Sequence, residues 1–394
     1  MKILWVKSDF LHPTTRGGQI RTLETLRVLH RRHEVHYVGL TDEPEGEGRR
    51  RAGEYSSQSY AVEHRVRDKR SIGFAVEVAK LLLSPMPVAV ARWESGAMKE
   101  QLRKLLKVGT YDSVVCDFLF PAPHFDDLSA VTLFQHNVEA QIWKRKAEYG
   151  STAAHRAYFS LQARRMAAYE GKVCRASRRV IAVSEADAEL MRRDYGVKRV
   201  DAVPTGVNLE YFAPPGEVEE GDELVFVGSM DWMPNEDGMK WFVGEVWPRI
   251  RKVKPQCRLV IVGRNPGAEV VRLGERAAGV TVTGTVPDVR RWLHGGKVCI
   301  VPLRIGGGTR LKIYEAMAAK LPVVSTTVGA EGLDYRHGEN LMIADSAEDF
   351  ARACVELLSD ERRRRAMAEA AWLLVSERYS WEAVTDRFER LLVG

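Results

Sequence analysis

The chain of 394 residues is too long for one compact core, so its length predicts two or three domains. Hydrophobic residues make up 45% and charged residues 28%, a balance that excludes an intrinsically disordered chain. The net charge of +6 suits anionic partners such as nucleotide phosphates, nucleic acid or an acidic membrane, although an ordinary solvated surface explains so small an excess better.

The cysteines and the N-terminus favour a cytoplasmic protein. The five cysteines are scattered and never spaced as C-x-x-C, which is typical of buried reduced thiols rather than of disulfides or a zinc site. The first apolar run, at 3–6, is too short for a signal peptide. No run approaches the roughly 18 apolar residues of a membrane span, so any membrane contact is expected to be peripheral.

Short apolar runs rich in valine and isoleucine alternate with amphipathic stretches along the whole chain. The runs lie at 2–6, 33–40, 112–118, 131–137, 180–185, 223–229, 258–263, 280–284, 298–303 and 322–326. They are mostly continuous, which is typical of strands buried on both faces of a parallel sheet. Helical patterns between many of them indicate βαβ units and therefore an α/β fold.

The stretch at 209–222 is the predicted linker between two domains, because it combines prolines, glycines and acids without apolar periodicity. It separates a first domain at 1–208 from a second at 223–375, and each begins with a strand, a loop and a helix. The last segment, 376–394, could cross back to the first domain. This organisation predicts two Rossmann-like, doubly wound domains facing across a cleft, where ligands are expected.

The strongest motif is RIGGGTRLKIYEAMAAKLPVVST at 304–326. A strand ends before three glycines, and a helix begins near Thr309. Bare backbone at the glycines and free N–H groups at the helix start together favour a diphosphate site. On the helix, Lys312 and Glu315 share a face with Gly308, so the lysine can reach a phosphate and the acid a ribose diol. The apolar face consists of Ile313, Tyr314 and Met317.

An ordinary strand-to-helix turn with a solvated lysine and glutamate explains this motif about equally well from local chemistry alone. The motif is not a P-loop, because G-K-[ST] does not follow the glycines. It is not the G-x-G-x-x-G dinucleotide fingerprint either.

The same motif resembles the donor-site signature of the retaining GT-B glycosyltransferases of family 4. In this resemblance, Glu315 binds the donor ribose, and the amides of 307–310 hold the diphosphate. The implied donor-binding residues are Gly228, Ser229, Gly307, Gly308, Thr309, Arg310, Lys312 and Glu315.

Further matches lie along the chain in the family's order. Gly17 and Gly18 resemble the N-terminal glycine loop, and His136 in QHNVE resembles the catalytic-site histidine beside the donor sugar. VSEADAELMRR and VPTGVNLEYF resemble the stretch before the linker. The segments FVGSMDWMPNEDGMKWF and GGGTRLK are most similar to bacterial sugar transferases of exopolysaccharide gene clusters.

The chain departs from the family pattern at three positions. Gly307 stands where the family often has a second glutamate, which puts donor-sugar specificity in question, and Ser229 stands where it often has an arginine. Asn235 occupies roughly the place of a lysine, and its position after a proline predicts a helix N-cap. Diphosphate charge is then expected to rest on Lys312 and Arg310. Weaker candidates for the donor site are Lys240, Arg264 and Gly284, the last through backbone contact with the base.

The resemblance implies a retaining hexosyltransferase that uses a nucleoside-diphosphate sugar. The expected acceptor is a glycan, a lipid-linked molecule or a small molecule in bacterial polysaccharide or glycoconjugate synthesis. No D-x-D sequence or other metal motif occurs, so neither a metal nor another cofactor is expected. The alternatives are a catalytically weak sugar-nucleotide-binding partner and a GT-B-fold epimerase.

Two macromolecular partners are also judged from the charge pattern. The stretch 144–179 holds ten Lys or Arg and two acids; it could rest on anionic lipid at the inner face of the cell membrane, although a solvated helix face is favoured. Nucleic acid is not expected as a partner, because the basic residues lack interleaved aromatics.

Overall fold

A computed structural model describes residues 1–14, 17–66, 71, 78, 81, 84–148, 152–216, 221–305 and 311–393. The chain forms two compact units, Met1–Pro204 together with Val384–Gly394, and Thr205–Ala383. Each unit is built around its own parallel sheet.

The sheet of the first unit has seven described strands. They are β1 Lys2–Lys7, β2 Glu34–Thr41, β3 Gln58–Glu63, β4 Ser113–Asp117, β5 Val131–Phe134, β6 Arg179–Ala182 and β7 Val200–Ala202. Their order is β3-β2-β1-β4-β5-β6-β7, and each neighbouring pair is parallel. This doubly wound order reverses direction between β1 and β4, the position at which open α/β sheets bind ligands.

Helices cover this sheet. Those described are α1 Gly17–His30, α2 Glu47–Arg50, α3 Val88–Ala91, α4 Gly96–Val108, α5 Glu139–Glu148, α6 Ala153–Ala176 and α7 Glu185–Tyr195. Side-chain oxygens cap three of them, since Ser95, Thr152 and Ser184 each accept a hydrogen bond from a backbone N–H in the first turn.

The second unit has a six-stranded sheet in its described part. Its strands are β8 Glu223–Val227, β9 Arg258–Val262, β10 Val280–Gly284, β11 Val298–Val301, β12 Val323–Ser325 and β13 Met342–Ile343. The order β10-β9-β8-β11-β12-β13 repeats the topology of the first sheet, again with parallel neighbours. The α/β prediction of two Rossmann-like sheets is confirmed.

The first six described helices that follow have nine residues or fewer, and the last three have 13, 18 and 13. They are α8 Leu209–Phe212, α9 Met233–Trp241, α10 Trp247–Val253, α11 Ala268–Arg276, α12 Arg290–Gly295, α13 Leu311–Ala318, α14 Ala347–Ser359, α15 Glu361–Arg378 and α16 Trp381–Val393. Among the helices of the described ranges, none is both long enough and apolar enough to cross a bilayer.

The division between the units differs from the predicted linker at 209–222. The second unit starts at Thr205. Val207 belongs to it because its backbone N–H donates to the carbonyl of Tyr379 and it forms an isolated parallel β-bridge with Ser380. Phe212, inside the predicted linker, lies on α8 and is buried in a core of this unit. The chain returns to the first unit at Val384, eight residues after the predicted position of 376.

Candidate active site

A buried carboxylate lies at the carboxyl edge of the first sheet. Asp117, the last residue of β4, is fully buried and accepts four hydrogen bonds. Its Oδ1 accepts from Lys7 Nζ at 2.7 Å and His136 Nε2 at 2.5 Å, and its Oδ2 from Trp5 Nε1 at 2.8 Å and Thr22 Oγ1 at 2.7 Å. Burial opposes ionisation, but Lys7 and His136 hold the pKa of Asp117 well below its usual range.

The protonation of His136 follows from its two partners. Arg21 Nη1 lies 2.9 Å from Nδ1, and a guanidinium can only donate, so Nδ1 carries a lone pair. The single ring proton is therefore on Nε2, which donates a hydrogen bond to Asp117. With one proton on its two nitrogens, the ring is neutral. Burial lowers the pKa of His136 to about 4, although Asp117 opposes this shift.

The predicted glycine loop lies beside this histidine. Helix α1 begins at Gly17, and a Cβ added to Gly18 would lie 3.9 Å from Nδ1 of His136. A Cβ at Gly17 would meet no described atom within 4 Å. The first turn of α1 thus brings exposed backbone next to the ring, as an approaching ligand would require.

The backbone of Phe118 is strained at the carboxyl edge of the first sheet. It has a φ of 77°, unusual for a residue with a bulky side chain, and its N–H donates to the carbonyl of Phe134 at 2.8 Å. Its ring meets that of His136 edge to face at 5.7 Å between centroids. Strain of this kind is concentrated at functional sites, which supports this edge as part of the active site.

A second buried carboxylate fixes the loop that carries His136. Glu170 on α6 is fully buried and accepts hydrogen bonds from Gln135 Nε2 and the backbone N–H of Glu139 on Oε1, and from the N–H of Ala140 and Tyr195 Oη on Oε2. The four distances lie between 2.8 and 2.9 Å. The carboxylate thereby ties the start of α5 and the β5–α5 loop to α6 and α7.

Replacement of Glu170 by glutamine is expected to lower the free energy of unfolding by about 1–3 kcal/mol, because the new amide must face a backbone N–H on either oxygen position. Urea-induced unfolding measures the loss. Tyr195→Phe removes one donor and leaves the carboxylate, so it is the matched control and should cost less. Equal losses in the two variants would contradict this assignment.

The same variant should change the pH dependence of stability. Burial raises the pKa of Glu170 to about 7, so the folded chain keeps a proton that the unfolded chain loses above about pH 4.5. The contribution of this group is complete at low pH and declines as the pH rises through about 7. Glu170→Gln should lack that decline when midpoints at about pH 6 and about pH 8 are compared.

The second unit gathers polar groups where β8, β9 and β11 end. Lys312 Nζ donates to Asn235 Oδ1 at 2.7 Å, and Asn235 Nδ2 donates to the carbonyl of Ser229 at 2.8 Å. A Cβ on Gly228 would lie 2.8 Å from both Asn235 Nδ2 and Lys312 Nζ, so only glycine leaves this arrangement intact. Lys312 Nζ also lies 4.6 Å from the ring centroid of Phe226.

The N-cap interpretation of Asn235 is wrong. Helix α9 begins two residues earlier, at Met233, with Trp232 at the N-cap and Pro234 in the first turn. Asn235 is 2% exposed, and its side chain is engaged by Lys312 and by the carbonyl of Ser229 instead.

Glu315 lies one turn beyond Lys312 on α13. Its side chain is half-buried, and no residue in the described part of the chain donates a hydrogen bond to its carboxylate. Burial raises the pKa of Glu315, and the Lys312 ammonium opposes that shift. A desolvated carboxylate without donors suits a ligand that brings hydroxyl groups. The buried face of α13 contains Ile313, Tyr314 and Met317, as predicted.

The remaining predicted donor-site residues have different surroundings. Arg264 Nε donates to Ser229 Oγ at 2.8 Å, so it lies at the same strand ends as Lys312, and Ser229 Oγ in turn donates to Asp231. Lys240 is instead ion-paired with Glu236 and Glu269.

Two further groups of predictions concern backbone. Gly284 has a φ of 70°, and a Cβ there would meet nothing within 4 Å. The predictions for Gly307, Gly308, Thr309 and Arg310 lie outside the described residues. No group of three or more His, Cys, Asp or Glu side chains is arranged as a metal site within the part of the chain that could be searched.

Sequence reasoning missed Lys7, Arg21 and Asp117. Lys7 and Asp117 end two apolar runs, and ends of neighbouring parallel strands meet at one edge of a sheet, which is the signal that could have found them. Arg21 gives no such signal, since it lies within an amphipathic helix.

The two sheets give the chain the GT-B fold, which solved structures of glycosyltransferases share. Sucrose-phosphate synthase from Thermosynechococcus elongatus matches with a TM-score of 0.66 and 18% identity, over 99% of this chain and 98% of that one. Anabaena HepE in complex with UDP matches with a TM-score of 0.66 and 13% identity, over 100% and 99%. WaaG, a glycosyltransferase involved in lipopolysaccharide biosynthesis, matches with a TM-score of 0.60 and 14% identity over both full chains.

The family follows from the sequence. The model of Glycosyltransferase Family 4 matches residues 15–211, and that of Glycosyl transferases group 1 matches 221–360. The chain belongs to glycosyltransferase family 4.

Curated relatives match over part of their length. The "uncharacterized 44.6 kDa protein in cps region" of Klebsiella pneumoniae is 28% identical over 169 residues, 41% of this chain and 43% of the relative. A GDP-mannose-dependent alpha-(1-6)-phosphatidylinositol monomannoside mannosyltransferase of Mycobacterium tuberculosis is 29% identical over 161 residues, 37% and 42%. The chain spans about half the length of the curated relatives it matches first, 43% and 56%.

Proposed function

We propose that this chain is a retaining hexosyltransferase that moves a sugar from a nucleoside-diphosphate sugar to a glycan or lipid-linked acceptor, without a metal or other cofactor. The observation that carries the proposal is that Lys312 and Glu315 lie one turn apart on α13, with Lys312 at the strand ends of the second unit. Lys312 is a cation that donates to the side-chain amide of Asn235, and Glu315 is a half-buried acid to which no described residue donates a hydrogen bond. Together they suit a diphosphate and the pentose next to it.

The chemistry assigned to these groups is charge stabilisation. Negative charge grows on the leaving diphosphate as the glycosidic bond breaks, and the Lys312 ammonium and the start of α13 stabilise it. Glu315 anchors the ribose, so the sugar is held in a fixed position. The departing phosphate oxygen takes the proton of the acceptor hydroxyl in this scheme, since the ring nitrogens of His136 are both engaged.

Relatives support the substrate class. The HepE structures contain UDP and, in one case, UDP-glucose, and the mycobacterial relative uses GDP-mannose. The nucleotide base therefore differs between proteins similar to this one. Two relatives act on phosphatidylinositol monomannoside and lipopolysaccharide, which supports a lipid-linked acceptor and peripheral contact with an anionic membrane through 144–179. Two others are named for D-inositol 3-phosphate, so a small-molecule acceptor is the alternative.

Nucleotide binding and product stereochemistry test the proposal. In a thermal-shift panel of UDP, GDP and ADP, one nucleotide is expected to raise the melting temperature. At a concentration one hundred times its Kd, a ligand of the folded state adds about 2.7 kcal/mol to the free energy of unfolding. Proton NMR of the product should then show the anomeric configuration of the donor, with EDTA having no effect. Inversion, a requirement for metal, or an epimerised donor without acceptor would contradict the proposal. Nucleotide binding without nucleoside diphosphate release would indicate a binding partner instead.

A further inference from the structure

The first unit contains a histidine whose ring is held from both sides. Its Nε2 donates a hydrogen bond to Asp117 Oδ1, with 2.5 Å between the two atoms, and Arg21 Nη1 donates to its Nδ1 at 2.9 Å. The His136 side chain is 7% exposed and that of Asp117 is 0% exposed, so bulk water does not compete for these contacts. We infer that Asp117 is a positioning residue that holds His136 as a neutral ring with its Nδ1 lone pair beside the turn at Gly18.

The charges around the ring favour this protonation state. Among the described residues, Lys7 on β1 and Arg21 on α1 are the cations that act on it, and Asp117 on β4 is the acid. Asp187 on α7 affects the ring only indirectly, through its electrostatic interaction with Arg21. A second proton would have to enter between Nδ1 and the guanidinium, where two positive groups would repel each other.

The carboxylate is built to be an acceptor and nothing else. Each oxygen of Asp117 receives two donors, which uses its four lone-pair directions. One of those donors is the ammonium of Lys7, on the same oxygen as His136. Without the carboxylate, the ammonium and the Nε2–H group would be two donors with no acceptor between them, and the ring would have to shift its proton or rotate.

The position of Nδ1 suggests what the arrangement is for. The space of a missing side chain at Gly18 lies 3.9 Å from this nitrogen, at the start of α1. A sugar hydroxyl that enters there can donate to Nδ1 in competition with Arg21, whereas a charged or Nδ1-protonated ring has no lone pair at Nδ1 to accept that hydrogen bond. This role for the ring rests on the proposed transfer of a sugar.

Nitrogen-15 NMR of histidine-labelled protein tests the inference without any substrate. His136 is assigned by comparison with His136→Gln. The ring should show a protonated Nε2 and an unprotonated Nδ1 that stay unchanged between about pH 5 and about pH 8. A ring that is charged in this range, or that carries its proton on Nδ1, would overturn the inference, and this result holds even if no transfer is detected.

Variants connect the ring to turnover. Asp117→Ala should redistribute the proton of His136 and lower kcat about 10- to 100-fold, with the KM for the donor changed by less than about threefold. Asp117→Asn keeps an oxygen that can face both Lys7 and Nε2, so it should restore the ring spectrum and most of the rate. Thr22→Val removes a hydrogen bond from the other oxygen and measures the cost of disturbing the cluster.

The variants decide between a positioning role and a merely structural one. An unchanged ring spectrum in Asp117→Ala, or a kcat no lower than that of Thr22→Val, overturns the positioning role. If Asp117→Ala does not fold, the ring spectra of the unmodified chain and of Asp117→Asn test the inference instead. An Asp117→Asn variant with an altered ring spectrum but a full rate of transfer overturns the positioning role of Asp117. If no donor supports transfer, the proposed function fails while the ring spectra still test the protonation state.

Discussion

Replacement of Lys312 by methionine is expected to lower kcat/KM for sugar transfer about 100- to 1,000-fold, as loss of one group that stabilises developing charge does in other enzymes. Methionine has a similar length and is apolar, so the contact with the Phe226 ring is kept while the ammonium is lost. The effect should fall mainly on kcat, because negative charge on the diphosphate increases as the bond breaks. Initial rates with the nucleotide sugar that binds measure it.

Lys320→Met is the matched control for this variant. Lys320 follows the same helix, is exposed, and is ion-paired with Glu369 at 2.9 Å. It should keep the rate of the unmodified chain, and the melting temperatures of both variants should stay near that of the parent. Full activity in Lys312→Met would remove the donor-site assignment.

Replacement of Glu315 by leucine is expected to abolish discrimination by the ribose hydroxyls. The unmodified chain should bind the preferred nucleoside diphosphate about 10- to 100-fold more tightly than its 2′,3′-dideoxy analogue, because the half-buried acid loses its hydroxyl partners in the complex with the analogue. In Glu315→Leu the two should bind alike. Isothermal titration measures both ratios.

An acid elsewhere on the same unit provides the comparison. Glu275 is exposed on α11, so Glu275→Leu should preserve the ratio of the unmodified chain. A ratio in Glu315→Leu equal to that of the unmodified chain would show that the ribose lies elsewhere.

The fold was largely predictable because its strands are continuous apolar runs. Each of the ten predicted runs overlaps a strand, since Val and Ile buried on both faces leave a pattern that is readable one segment at a time. The strands that were missed are β3, β7 and β13. β3 is an edge strand with polar residues on one face, so it lacks a continuous apolar run. β7 spans three residues and β13 two, which is too short for a readable pattern.

The site was less predictable because its contacts cross the sequence. Asp117 meets Lys7 across 110 residues, and Asn235 meets Lys312 across 77. Such pairs depend on which strands become neighbours, a property of the whole sheet. The error at Asn235 has the same origin, since local propensity favoured a cap and a distant ammonium engaged the side chain instead.

Helix α16 sets the order in which the two units can be completed during synthesis. Phe388 of α16 packs on Trp5 at 5.5 Å and on Phe134 at 4.9 Å between ring centroids, inside the core formed by the first 204 residues. The first unit therefore lacks an aromatic side chain of its interior until residues beyond the second unit have been translated, whereas the second unit comes from one uninterrupted stretch. On the ribosome, the second unit has every residue it needs before the first one does.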